Sequence, residues 1–162
     1  MLVLRYLYVL ALVLWVGGMV LAGAVVAPAT FGVLGGWNPA EGRVLAGQVF
    51  GEVLRRAHLG AYAMAGVMLV ALTLQRLLGP RPLDYGIRVS LIGLMLALML
   101  ASGVLVSPRV TSMQHEVGGP IAALPDADPR RLAFNRLHGL SNALLSAVAL
   151  GGFVLLVWEA RE

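Results

Sequence analysis

Between Arg88 and Arg109 the chain reads Val89-Ser90-Leu91-Ile92-Gly93-Leu94-Met95-Leu96-Ala97-Leu98-Met99-Leu100-Ala101-Ser102-Gly103-Val104-Leu105-Val106-Ser107-Pro108, 20 residues without a charge. Coiled as a helix at 1.5 Å per residue, that run is about 30 Å long, the thickness of the hydrocarbon core of a bilayer. The signature recurs on both sides of it. Uncharged intervals of 35, 19 and 22 residues separate Arg5 from Glu41, Arg56 from Arg76, and Arg136 from Glu159. Spans are therefore expected at about 6–26, 57–75, 89–108 and 137–158. The predicted fold is all-α, a four-transmembrane-helix bundle forming a single integral membrane domain over residues 1–162.

Composition leaves no soluble alternative. Hydrophobic residues make up 59% of the 162 and charged residues 12%, against about 25% charged in an ordinary soluble domain. A soluble chain this short has too little interior to hide so much apolar surface, so the lipid bilayer must take it up. The net charge of +4 comes entirely from arginines, with no lysine, and they stand at the ends of apolar runs. That flanking pattern excludes a nucleic-acid partner. No cysteine is present, which removes disulfides, thiolate metal sites and a thiol nucleophile. The first span has the basic start and Ala22-Gly23-Ala24 sequence of a cleavable signal, yet its length, Trp15 and Gly17-Gly18 read as a retained helix.

The connections differ in kind. Residues 77–87, with Gly79, Pro80 and Pro82, predict a short turn that makes spans two and three a hairpin. The other links are long, and each contains a helix start. Asn38-Pro39-Ala40-Glu41 has a cap, a proline and a carboxylate in the order of a capping box, and Asp128-Pro129 repeats the cap and proline. From Pro39 to Arg56, Leu45, Val49, Phe50, Val53 and Leu54 share one helical face, opposite Glu41, Gln48, Glu52 and Arg55. Interfacial helical extensions are expected to lead into spans two and four on one membrane face. The arginines around the short turn place both termini in the cytoplasm, with the protein in a cell membrane of the bacterial inner-membrane type.

A shift of 80 residues lays Gly23 on Gly103, Pro28 on Pro108, Arg56 on Arg136 and His58 on His138. Each half is a span ending in proline, a long link, then Arg-x-His opening the next span. This is the pattern of two pseudo-repeated helical hairpins related by an axis along the membrane normal.

Candidate chemistry is sparse. His58 and His138 open their spans from the same face, with Tyr62 and Asn142 one turn further on as supporting polar groups. Two imidazoles at equal depth suit the axial positions of haem b or a copper site; alternatively each is an interfacial residue bonded to a backbone carbonyl or a lipid headgroup. His115, beside Glu116, reads as solvated. Met64 and Met68 on span two and Met95 and Met99 on span three lie at matching depths. Thioethers suit Cu(I), and methionine equally fills helix interfaces. Phosphate loops, paired intramembrane carboxylates and nucleophile–base sets are missing, and the span interiors carry no charge, so neither an enzyme nor a proton-coupled transporter is expected. The functional reading is a binding or accessory membrane protein, alone, as a homo-oligomer or in a larger membrane complex. A haem or copper protein and a small-solute channel or transporter are the alternatives.

The runs Leu14-Trp15-Val16-Gly17-Gly18-Met19, Ala27-Pro28-Ala29-Thr30-Phe31 and Gly47-Gln48-Val49-Phe50 resemble the opening of the transmembrane protein 205-like family, a four-span domain of unknown function. Arg136-Leu137-His138-Gly139-Leu140-Ser141-Asn142 is similar to that family's Leu-His-Gly-x-Ser segment. The resemblance covers nearly the whole chain and implies a multi-pass membrane protein without an assigned reaction, with eukaryotic relatives associated with resistance to platinum drugs. The Trp-x-Gly-Gly span and the histidines at helix ends are more distantly similar to copper-resistance protein D, which implies a copper role without matching its paired His/Met motif.

Overall fold

Each uncharged run becomes the middle of a longer helix. A computed structural model describes residues 2–79 and 84–161, and its four long helices are α1 (Leu2–Trp37), α2 (Glu41–Leu78), α3 (Tyr85–Val117) and α4 (Pro129–Glu159), with no strand among the described residues. The helices form a ring in chain order, α1 on α2, α2 on α3, α3 on α4 and α4 back on α1. The predicted turn at Pro80 and Pro82 lies outside the described residues.

The helices do not end where spans one and three were expected to end, at Pro28 and Pro108. Both helices run through their proline. In α-helical register Pro28 and Pro108 would leave the carbonyls of Ala24 and Val104 without an amide donor, with the proline ring pressed against them. The chain widens instead into π turns at Ala22–Val26 and Ala101–Val106, where the Ala27 amide donates to the Ala22 carbonyl and the Ser107 amide to the Ser102 carbonyl. That i to i−5 register accommodates the ring and lets α-helix resume. The two π turns recur at nearly the offset of the sequence repeat.

The expected helix starts are present. Asn38 Oδ1 accepts from the amides of Ala40 and Glu41 at 2.9 and 3.1 Å, and its Nδ2 donates to the Glu41 carboxylate at 3.4 Å. Asp128 Oδ1 accepts from the Arg130 amide at 2.8 Å. The turn between α1 and α2 is tight because Gly42 packs directly on the backbone of Leu34, where any Cβ would collide with the Leu34 carbonyl.

Helix length defines two zones. The 38 residues of α2 are about 57 Å long, almost twice the hydrocarbon thickness. Measured from Arg5, Arg76, Arg88 and Glu159, the apolar zone ends at Pro28, Arg56, Arg109 and Arg136, about 30–35 Å away at 1.5 Å per residue. Beyond that level the four helices continue as a headpiece whose charges lie on α2, α3 and α4, while residues 29–37 of α1 are uncharged. There Phe31 of α1 meets Phe50 of α2 edge-on with ring centroids 6.3 Å apart, and Gly47 of α2 leaves room for the Gln114 side chain of α3. Glu52 accepts from Arg55 and Arg56 at 2.7 Å, and the guanidinium of Arg55 is the main reason its carboxyl is held down at about 2.

In the apolar zone the centre is closed. Leu12, Trp15, Met68, Leu72, Ile92, Met95, Met99, Val148 and Leu155 are buried in one cluster drawn from all four helices. Gly152 lets α4 approach Val16 of α1, and Gly151 accepts the Met95 side chain of α3.

Candidate functional site

Among the described residues the buried polar side chains include Ser141 of α4 and two groups that join helices. The first lies where the chain ends meet the membrane. Glu159, at the end of α4, accepts from Arg5 Nε of α1 at 2.6 Å and from a terminal guanidinium nitrogen of Arg88 of α3 at 2.9 Å. Arg88 is 2% exposed, Glu159 9% and Arg5 46%, so the carboxylate and one guanidinium are nearly dry. The Arg88 guanidinium also lies over the Tyr8 ring, 5.9 Å from its centroid. Nearby, Arg76 at the end of α2 stacks on Tyr85 at 4.5 Å. These charges clamp α1, α3 and α4 together, since separating any helix would strand a charge in a low-dielectric setting.

The second group lies at the other membrane level, on the seam between α2 and α3. His58 is 3% exposed. Its Nδ1 is 2.7 Å from the Leu54 carbonyl, which fixes the proton on Nδ1 in the neutral ring and leaves Nε2 as an acceptor. Nε2 has no partner. One turn on, Tyr62 donates to the Met99 carbonyl of α3 at 3.3 Å, and the two rings stand 6.3 Å apart. Both pack on the π turn of α3. A Cβ at Gly103 would lie 2.8 Å from Cδ2 of His58 and would collide with the Tyr62 hydroxyl. Ser102, in the same turn, is fully buried, and its hydroxyl has no partner among the described residues.

The sequence-related partners behave differently. His138 is exposed and stacks on Phe134 of its own helix, with ring centroids 5.9 Å apart and planes 6° apart. Asn142, at the place of Tyr62, is exposed as well. The expectation that His58 and His138 face one another across the bundle is not met by this arrangement, because a shared bis-imidazole site needs both rings turned inward. The shift of 80 predicts equal depth; it says nothing about how tightly each seam closes. His115 is exposed, as expected. Met68, Met95 and Met99 are buried in the apolar cluster and Met64 packs against it. Among the described residues no three His, Asp or Glu side chains converge as a metal-holding group.

The model of a family described as a domain of unknown function (DUF4149) matches residues 10–118, more than half of the chain. The chain belongs to that family. No curated protein and no solved structure matches it. The matched stretch contains both π turns, both prolines and the His58–Tyr62–Gly103 contact.

Sequence reasoning missed the Arg5–Glu159–Arg88 clamp because each member ends an uncharged interval and so reads as a flank. A signal was available. Glu159 is an acidic residue at the same membrane level as Arg5 and Arg88, and opposite charges at one level of neighbouring helices are candidates for pairing.

Proposed function

We propose that this DUF4149 protein is a non-enzymatic, membrane-anchored binding or accessory protein that acts through its headpiece. One observation carries the reading. The apolar zone is closed by a core of Leu, Met, Ile and Val drawn from all four helices, while α2, α3 and α4 continue beyond that zone with charged residues and α1 continues beside them as the uncharged segment 29–37. A channel or transporter needs a polar lining that continues from one face to the other. Here the buried charges lie at one end of the apolar zone and His58 with Ser102 at the other, and the methionine-rich layer between them is apolar except for the Trp15 indole N–H. The short turn and chain termini belong on the cytoplasmic side of an inner-membrane-type bilayer, with the headpiece opposite.

The purified protein in liposomes should leave ion and small-solute flux at the level of empty vesicles. A photo-crosslinker at Gln48 or Arg55 on the headpiece should capture a protein neighbour in native membranes more efficiently than one at Leu94, on the lipid-facing side of α3. Protein-dependent flux, or equal capture at all three positions, refutes the reading.

A second reading has its own support. Nδ1 of His58 is held by a backbone carbonyl, the arrangement that orients imidazole ligands, and its Nε2 is unpartnered. Nε2 is packed against α3 with no space for a haem, so the group that fits is a copper ion reached by opening the α2–α3 seam, which would give a metal-analysis signal that His58→Ala abolishes and His138→Ala does not. A metal-free protein from copper-replete cells rejects it.

A further inference from the structure

The ring of helices is not closed along its whole length. Near the chain ends α1 and α4 are bound by Arg5–Glu159, and midway Gly152 packs on Val16. Above that level the seam opens. From its π turn onward α1 leans on α2, whereas the upper part of α4 packs on α3. The exposure pattern on α4 records the separation. His138, Asn142, Ala149 and Leu156 lie on one stripe by the 3.6-residue repeat. Ala149 and Leu156 are half-buried, while His138 and Asn142 are exposed. On α1, Gly23 is exposed, and a Cβ there would meet nothing within 4 Å.

The opposite seam shows what a closed version looks like. There the π turn of α3 receives the Tyr62 ring against Gly103, and the Tyr62 hydroxyl bonds to the Met99 carbonyl. The repeat places Asn142, Gly23 and Met19 in the corresponding positions. Asparagine is shorter than tyrosine, and the space beside Gly23 is open where that beside Gly103 is filled by Tyr62 and His58. It stands six residues inside Arg136, about 9 Å below the edge of the apolar zone at 1.5 Å per residue. An amide facing hydrocarbon has no water to bond, and transmembrane helices satisfy such groups by pairing.

We propose that the α1–α4 edge is a self-association surface, on which a second copy of this chain supplies the neighbour missing from the open seam. The edge is self-complementary. It carries both the unfilled π turn of α1 and the unpaired amide of α4, so a twofold axis along the membrane normal presents each to its counterpart, as an isologous interface requires. Asn142 has two donors and an acceptor, and near such an axis it can bond to its own copy or to the α1 backbone of the partner.

The cysteine-free chain makes the test clean. Ala27 and His138 lie at similar depth on the two sides of the edge and leave Asn142 intact. Ala27→Cys in one tagged copy and His138→Cys in a differently tagged copy, co-expressed and oxidised in native membranes, should form a mixed disulfide dimer. Leu94→Cys, on the lipid-facing side of α3, should not cross-link to either. Asn142→Leu, at an exposed position where folding is not at stake, should shift the protein from dimer toward monomer by at least tenfold in dissociation constant in lipid nanodiscs. The proposal is overturned by an Ala27→Cys/His138→Cys double variant that cross-links only within one chain, which would mean that the seam closes on itself. It is also overturned if no cross-link forms, which would leave the edge to lipid, or if the dimer is unaffected by Asn142→Leu.

Discussion

Glu159→Gln tests the clamp that joins three helices. The substitution keeps the shape of the side chain and removes its charge, so the buried Arg88 guanidinium loses its ion pair with Glu159, and so does Arg5. Arg88 is 2% exposed, and removing one partner of a buried pair costs about 3–5 kcal/mol. The Arg5 contribution must be discounted, because at 46% exposure it reaches headgroups and water, and such pairs contribute about 0–1 kcal/mol. Glu159→Gln should therefore destabilise strongly and Arg5→Gln weakly. Replacing the inner pair together, Arg88→Met with Glu159→Leu, removes both charges at similar volume and should recover most of the loss. Unfolding followed by tryptophan fluorescence in mixed detergent resolves differences of this size. The reasoning fails if Arg5→Gln costs as much as Glu159→Gln, or if the double replacement is no better than Glu159→Gln alone.

Gly42→Ala should cost about 1–3 kcal/mol, because its Cβ meets the Leu34 backbone, which has no rotamer to yield, whereas Gly66→Ala, with open space around it, should be neutral or slightly stabilising in the same unfolding assay. Asn38→Ala removes the acceptor for two amides at the start of α2 and should cost about 1 kcal/mol, seen as faster amide exchange at residues 40 and 41; unchanged exchange rules out the cap. Glu52 has its folded pKa lowered from 4.5 to about 2, so its contribution to the headpiece is complete above pH 4.5 and is lost as pH falls from there toward 2. Carboxyl NMR should place its midpoint near that value, and Arg55→Ala should raise the midpoint more than Arg56→Ala, since the Arg55 hydrogen bond is the largest cause.

Four helices long and apolar enough to cross a membrane, and the starts of α2 and α4, follow from the sequence alone. Bilayer thickness converts an uncharged run directly into a crossing helix, and a cap is a local hydrogen bond written in adjacent residues. The rest was decided between helices. Pro28 and Pro108 are strong local stop signals, yet α1 continues past its π turn packed on α2, and α3 continues past its own packed on α4 and α2. Arg88 and Glu159 look like flanks until the ring of helices brings them together. His58 and His138 share a motif and a depth, and Tyr62 and Asn142 share a position after them. Only the tertiary structure separates a buried pair from an exposed one. The reason is steric, since Tyr62 and His58 fill the space beside Gly103 and seal that seam, whereas the space beside Gly23 is open.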